Sequence, residues 1–133
     1  MVPDFNNPLT SPFWFAASMS KLVICTCKKC ELDIWYPRHI CPKCGLKSTW
    51  RQLSGKAKLL SWTTCDHRIN PIFNTSFTPA IVIPEDASSV QLVTQLIIEG
   101  DQYPRCDMSL RVDFVEINTV KNGNFLAPLF VPA

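Results

Sequence analysis

The sequence predicts a mainly β protein with a short N-terminal helix, a small ribbon held by a metal ion, and a C-terminal barrel of five strands. Four of the seven cysteines form two C-x-x-C pairs with ten residues between the pairs, a spacing typical of structural metal sites. Five short β-rich runs then follow one another, with turn residues between them, as in a small barrel. The expected parts are residues 1–20 for the arm and helix, 21–53 for the ribbon and 54–133 for the barrel.

Length and composition limit the class of protein. The chain has 133 residues, of which 47% are hydrophobic, enough for one modest core. Its longest mostly apolar runs, such as residues 90–98, contain polar residues and are far shorter than the ~20 residues that cross a bilayer. The first twenty residues lack a basic leader and an uninterrupted apolar run, so no secretory signal is expected. We therefore expect a cytoplasmic protein in a reducing compartment.

The N-terminal segment predicts an extended arm and one helix. Residues 1–10 are rich in proline and asparagine, and Ser11-Pro12 offers an N-cap followed by proline at the first helical position, so a helix is expected as far as Met19. The three consecutive aromatics at residues 13–15 cannot all face one side of so short a helix. The helix therefore either packs into a groove of its own protein or leaves one face for a partner.

The two cysteine pairs indicate a closed metal site. Cys27 and Cys30 form the first knuckle, and Cys41 and Cys44 form the second. Two such turns, brought together by a hairpin, place four sulfurs at tetrahedral corners, which suits a structural zinc ion and leaves no position for a substrate. Gly45 fits a chain reversal that needs a positive φ angle. Iron in a rubredoxin-like site and a disulfide redox pair remain as alternatives.

The remaining cysteines predict no catalytic site. Cys25 is two residues from Cys27 and either competes as a ligand or is a buried strand thiol. Cys65 and His67 invite a nucleophile-and-base interpretation, but the sequence offers no activating third group, and Cys106 is expected to be an ordinary thiol. Three carboxylates in predicted turns are expected to be solvated: Asp86, Glu99 and Asp101.

The second half of the chain predicts the barrel strands. Leu110, Val112 and Phe114 alternate with charged residues, as a half-buried strand requires. Turn residues occupy the gaps, including an Asn-Gly pair at residues 122–123 that is a strong hairpin signal. The five expected strands are Ala57 to Thr64, Ala80 to Ile83, Val90 to Ile98, Leu110 to Ile117 and Phe125 to Val131.

Charge is distributed unevenly along the chain. Residues 21–58 contain nine Lys or Arg and two acids, a net charge of +7, whereas residues 59–133 contain four bases and eight acids, a net charge of −4. Zinc held by four thiolates adds two negative charges, so a metallated ribbon would be nearer +5. A basic ribbon suits phosphate groups or an acidic protein face.

Several landmarks occur in one order across nearly the whole chain. They are Pro12-Phe13-Trp14, the cysteines from Cys27 to Cys44, Pro37-Arg38, Cys41-Pro-Lys-Cys-Gly45, Ser54-Gly55-Lys56 followed by Leu60-Ser61-Trp62, His67-Arg68, and the final run from Pro128 to Ala133. This ordered set resembles the zinc-ribbon and OB-fold proteins long called DUF35, which accompany acyl-CoA enzymes. The chain departs from that family at Ser20, Glu31 and Asp107, where the family has glycine, so the turn geometry there is an open question.

The resemblance implies a rubredoxin-like zinc ribbon, a five-stranded OB-fold barrel and a non-catalytic function. Members of the family that the chain resembles bind thiolase-like or ketoacyl-synthase-like subunits and help to form or cover an acyl-CoA site. Their partners include thiolases, acyl-CoA aldolases, hydroxymethylglutaryl-CoA synthases and the C-acetyltransferase complexes of phloroglucinol biosynthesis. The expected function is therefore an accessory or scaffold subunit, with no catalytic residue of its own.

Two other functions compete with this expectation. OB barrels with basic and aromatic surfaces bind single-stranded nucleic acid, but here the barrel half is acidic, whereas such a groove should be basic. An independent thiol enzyme using Cys65 is the third hypothesis.

Overall fold

The computed structural model describes residues 3–64, 78–99, 102–119 and 123–133. No helix in these ranges has the length and apolar character needed to cross a membrane. The elements are α1 (Ser11–Ser18), β1 (Val23–Cys27), β2 (Leu32–Ile34), β3 (Thr49–Gln52), β4 (Lys56–Trp62), β5 (Thr78–Pro84), β6 (Leu92–Leu96), β7 (Ser109–Asn118) and β8 (Asn124–Pro132).

The ribbon is a three-stranded antiparallel sheet in the order β2-β1-β3. Cys25, in the central strand, lies opposite Ile34 on one side and opposite Trp50 on the other. The knuckles lie outside these strands, and their chain segments meet at an isolated bridge between Ile40 and Lys47. So small a sheet buries little apolar surface, which is why it needs a metal or a neighbouring domain.

The last five strands close into a barrel in the order β4-β5-β6-β8-β7. Numbered within the barrel, this order is 1-2-3-5-4, with strands 3 and 5 parallel where Leu96 pairs with Phe130. The five-stranded barrel of the OB fold is thereby confirmed. All five expected strands are present, but β6 is shorter than predicted, because the N–H of Val90 donates to the carbonyl of Ala87 in a turn.

One hydrophobic core joins the barrel to the ribbon. Leu59, Leu110 and Phe130 are almost completely buried inside the barrel, and Leu22 and Ile24 from the start of the ribbon belong to the same cluster. Removing the ribbon would therefore expose part of the barrel core.

The helix begins one residue earlier than predicted. Thr10, not Ser11, is the N-cap, and no side chain caps the helix. The N–H of Ser11 already donates to the carbonyl of Asn7 at 2.8 Å, so Ser11 lies inside the first turn. Proline still occupies the first turn, where its missing N–H costs nothing.

The three helix aromatics point in different directions. The ring of Phe13 lies 5.4 Å from that of Trp35 and packs on the shared core. Trp14 packs edge-to-face on Phe125 of the barrel, with ring centroids 5.7 Å apart. Phe15 remains 52% exposed. Phe13 and Trp14 therefore pack on the ribbon and the barrel, whereas Phe15 contacts Phe5 of the N-terminal arm, with ring centroids 5.1 Å apart.

The backbone is left-handed at the three positions where the family that the chain resembles has glycine. Ser20, Glu31 and Asp107 have φ angles of 58°, 51° and 63°, and they are the non-glycine residues of the described ranges with positive φ. A side chain in this conformation costs about 1–2 kcal/mol. The turn geometry is thus retained although the glycines are absent.

Ser20→Gly is expected to raise the free energy of unfolding by about 1 kcal/mol, because glycine adopts this φ angle without the steric penalty. Ser18→Gly is the matched control, since Ser18 ends α1, and it should lower stability by up to about 1 kcal/mol. Urea unfolding of both variants checks the difference in sign. Equal destabilisation by the two changes would show that Ser20 bears no strain.

An ion pair within the ribbon also contacts the barrel through a hydrogen bond. The guanidinium of Arg51 donates to both carboxylate oxygens of Asp33 at 2.7 and 2.8 Å and to the backbone carbonyl of Asp86 at 2.5 Å. The Asp86 carboxylate in turn accepts the N–H of Ser54 at 2.8 Å. Asp86 is exposed in a turn, as predicted, and its loop also folds back against the junction between β3 and β4.

The Arg51 guanidinium holds the pKa of Asp33 below its ordinary value. A depressed carboxyl pKa means that the pair contributes its full stability above about pH 4 and loses it only as the pH falls through the lowered value. Because Arg51 is partly exposed, Asp33→Asn should cost about 1 kcal/mol. Urea unfolding should give the same cost at every pH between 5 and 8, whereas a cost that vanishes at pH 5 would contradict the assignment.

Candidate metal centre

Four cysteine sulfurs meet at one end of the ribbon. The Sγ atoms of Cys27, Cys30, Cys41 and Cys44 all lie within 4.8 Å of one another. Cys27 and Cys41 are buried, and the other two are partly exposed. The backbone explains the grouping: β1 ends at Cys27, and the N–H of Cys41 donates to the carbonyl of Leu46 to close the second knuckle. The sequence prediction selected these same four residues.

The spacing of the sulfurs fits a tetrahedral metal ion. Zinc–sulfur bonds of about 2.3 Å place the corners of a tetrahedron about 3.8 Å apart. The sulfurs of Cys27 and Cys44 are 3.6 Å apart, close to that value and far longer than the ~2.05 Å of a disulfide. All six cysteines within the described ranges are free thiols. The donor set therefore fits zinc, with all four positions supplied by the protein.

The thiol pKa values show why a cation belongs here. Burial opposes ionisation of Cys41, but the N–H groups of Cys44 and Lys43 donate to its sulfur, and its pKa falls to about 7. Contact with the thiol of Cys44, together with burial, raises the pKa of Cys30 to about 12. With so high a pKa, Cys30 does not ionise near neutral pH unless a positive charge lies close to it. Metal binding must therefore release protons, and affinity should fall as the pH falls.

Gly45 has the role that the sequence predicted, and the structure favours one of the two alternatives that the sequence left open for Cys25. Gly45 has a φ angle of 76°, and its N–H donates to the carbonyl of Cys41 at 3.0 Å. Cys25 is buried, but it lies outside the four-sulfur cluster, and its thiol contacts the carbonyl of Arg38 at 3.5 Å. Cys25 is therefore a strand thiol and not a competing ligand.

The other proposed reactive residues form no site in the described ranges. Cys106 is an exposed thiol, and Glu99 is exposed on the surface. Cys65, His67 and Asp101 lie outside the described residues, so the nucleophile-and-base hypothesis stays untested.

The sequence did not reveal an apolar groove of about 460 Å³ between the helix, the ribbon and the barrel. Trp35, Tyr36 and Pro37 of the ribbon form one wall, and Thr94 and its neighbours in β6 form another. The further lining residues are Thr10, Phe13, Trp14, Pro79, Val93, Gln95, Ile117, Phe125, Ala127, Pro128 and Leu129. None of these lining residues carries a charge.

The groove follows the seam where β6 and β8 meet. These strands are joined by the single register pair of Leu96 and Phe130, by the Ile97 N–H, which donates to the Phe130 carbonyl, and by the Thr94 hydroxyl, which donates to the Pro128 carbonyl at 3.0 Å. The face formed by strands 2 and 3 is the usual ligand face of an OB fold. Here it presents apolar side chains, with Val93 80% exposed.

Comparison with known proteins identifies the ribbon. Residues 16–47 match the family described as "ChsH2, rubredoxin-like zinc ribbon domain". A curated relative from Thermomonospora curvata, "Probable enoyl-CoA hydratase alpha subunit", is 28% identical over 124 residues, which cover 91% of this chain. The chain spans only 37% of the length of that relative.

Two solved structures share the fold of the chain. A chain of the "Ltp2-ChsH2(DUF35) aldolase" superimposes with a TM-score of 0.81 and 23% identity over 98% of each chain. A DUF35 protein of unknown function from Sulfolobus solfataricus gives a TM-score of 0.62 and 13% identity, covering 98% of this chain and 89% of that one. These findings confirm the resemblance inferred from the ordered landmarks: residues 16–47 match the ChsH2 ribbon, and the chain shares the ribbon-and-barrel fold of the DUF35 proteins.

Proposed function

We propose that this chain is a non-catalytic subunit that supports an acyl-CoA enzyme. The observation that carries the proposal is the fold shared along 98% of both chains with a component of the Ltp2-ChsH2(DUF35) aldolase. The probable enoyl-CoA hydratase subunit to which this chain is similar also supports an association with acyl-CoA chemistry.

Zinc is the metal that we propose for the cluster, with Cys27, Cys30, Cys41 and Cys44 as its ligands. A tetrathiolate zinc site has no open position, so the ion would supply a fixed crosslink between the knuckles. The chain's own backbone N–H groups at Lys43 and Cys44 would stabilise the Cys41 thiolate. Cysteines that form no disulfide are typical of a reducing compartment, so the location that we propose is the cytoplasm.

The groove is the surface that we propose the chain contributes to a partner's acyl site. Its walls come from the metal-held ribbon and from the barrel, so the ribbon must be folded for the groove to exist. An uncharged lining suits the hydrophobic part of an acyl-CoA or an apolar partner segment.

The partner that we propose is a thiolase-like or ketoacyl-synthase-like subunit of a condensing, aldol or C-acyltransferase complex. Acetyl transfer in phloroglucinol-type metabolism belongs to the same proposal, which rests on the family resemblance. The single-stranded nucleic-acid alternative gains no support, because the OB ligand face is lined by residues without Lys or Arg.

Isolation of the native complex tests this function. Tagged chain purified from its native host should elute with a larger acyl-CoA enzyme subunit at a fixed ratio, and the chain alone should not turn over an acyl-CoA. Val93→Glu should reduce co-elution at least tenfold, because it places a charge in the groove. Tyr103→Glu is the matched control, since both side chains are 80% exposed and Tyr103 lies outside the groove. Elution without an enzyme subunit, or equal effects of the two variants, would contradict the proposal.

A further inference from the structure

The knuckles of the ribbon carry a concentrated positive charge. Lys28 and Lys29 lie inside the first knuckle and Lys43 lies inside the second, and all three side chains are exposed. Because the four sulfurs lie within 4.8 Å of one another, the two knuckles present these lysines around one centre. Arg38 and Lys47, also exposed, lie on the chain segments that lead into and out of the second knuckle.

No acidic group of the described residues forms an ion pair with these five cations. The described residues contain one ion pair, between Arg51 and Asp33. The five cations do not take part in it: Lys28, Lys29, Arg38, Lys43 and Lys47. Residues 27–47 contain five Lys or Arg and two acids, the exposed Glu31 and the Asp33 that pairs with Arg51, so the region carries three net positive charges. One remains after zinc and four thiolates are counted.

Two large apolar side chains accompany the cations. Ile40 is 58% exposed and Leu46 is 50% exposed. The backbone pairs Ile40 with Lys47, and the Cys41 N–H donates to the Leu46 carbonyl, so the two apolar residues lie on neighbouring rungs. Exposed apolar side chains close to exposed cations are the composition of a protein–protein contact surface.

We propose that this knuckle face, made of Lys28, Lys29, Arg38, Ile40, Lys43, Leu46 and Lys47, docks against an acidic surface of a partner protein that presents an apolar side chain between its carboxylates. The inference rests on the proposed function, because it names a second surface, besides the groove, through which the chain contacts its enzyme partner. Charge complementarity would guide the encounter and set the orientation of the ribbon.

Composition favours protein over nucleic acid as the occupant. Single-stranded nucleic acid is held by stacking on aromatic side chains, and none of the seven residues of the knuckle face is aromatic. Four of its five cations are lysines, which lack the forked geometry that recognises phosphate bidentately. A bound phosphate would not remove the apolar surface of Ile40 and Leu46 from water, whereas a protein surface can bury it.

Charge reversal on the knuckle face tests the inference with the co-isolated partner as the probe. Lys43→Glu/Lys47→Glu should weaken partner binding at least tenfold at 50 mM salt, and the loss should shrink at 500 mM salt because exposed charges are screened. The matched control is Lys56→Glu/Lys58→Glu, which makes the same charge change at two exposed positions of β4 and should leave affinity within about twofold. Leu46→Ser removes apolar area without a charge change and should weaken binding several-fold. Zinc content, at one ion per chain in every variant, shows that the ribbon is intact.

The outcomes separate this inference from the proposed function. An acyl-CoA enzyme subunit that binds both double variants and the Leu46 variant equally would overturn the inference and leave the function standing. A partner of another class whose binding depends on the knuckle face would overturn the function and support the inference. Isolation of no partner, or salt-sensitive binding of an oligonucleotide or of coenzyme A that depends on Lys43 and Lys47, would overturn the inference.

Discussion

Cys41→Ser is expected to abolish stoichiometric zinc binding and to unfold the ribbon. Cys41 is buried and is one of the four clustered sulfurs, and serine is a poor zinc ligand. Structural zinc contributes about 10–16 kcal/mol to folding in small zinc modules at neutral pH, more than the ribbon sheet can replace. Because Leu22 and Ile24 share the barrel core, the loss should reach the barrel and lower stability by more than about 4 kcal/mol.

Two serine controls separate ligation from burial. Cys106→Ser, at an exposed position, should change neither zinc content nor melting temperature. Cys25→Ser should keep one zinc per chain and cost only about 1–2 kcal/mol, because a hydroxyl replaces a buried thiol that is not in the cluster. Elemental analysis and thermal unfolding measure both quantities. A Cys41→Ser protein with full zinc and an unchanged melting temperature would refute the ligand assignment.

Gly55→Ala is expected to lower the free energy of unfolding by about 3 kcal/mol. Gly55 has a φ angle of 90°, and a Cβ atom there would lie 2.6 Å from Cγ1 of Val112. Its carbonyl accepts the N–H of Val112 at 2.8 Å, so the two backbones cannot move apart without losing a hydrogen bond. Backbone strain and overpacking each cost about 1–2 kcal/mol or more.

Gly123→Ala is the control for the backbone contribution. Its φ angle is 73°, and an added Cβ meets nothing within 4 Å, so the change should cost only about 1 kcal/mol. Urea unfolding of both variants gives the difference, and equal costs would show that contact with Val112 is unimportant. Gly55 belongs to the Ser54-Gly55-Lys56 landmark of the resemblance, and the close approach of β7 explains why glycine is needed at the barrel entrance.

Features governed by local spacing could be predicted from the sequence. Two C-x-x-C pairs specify their own sulfur geometry, so the cluster of Cys27 with the other three cysteines followed from spacing alone. Alternation of apolar and charged residues around Val112 likewise located a barrel strand. The resemblance also selected Ser20, Glu31 and Asp107, although it left open whether a left-handed backbone would persist without glycine.

Features built from distant segments could not be predicted. The bond from Arg51 to Asp86 joins residues 35 apart in sequence, and no local pattern specifies such a pair. The groove combines the helix, the ribbon loop at Trp35 and four barrel strands, so it exists only after these elements pack. For the same reason, the sequence could not decide which of the helix aromatics would remain exposed.

Metal analysis of the native chain tests the central claim most directly. If four thiolates hold the ribbon around one ion, carefully prepared protein will contain one zinc per chain, and a strong chelator will abolish the near-ultraviolet circular dichroism of the ribbon residues Trp35 and Trp50. Protein that contains no stoichiometric metal and keeps that signal in the presence of the chelator would contradict the account.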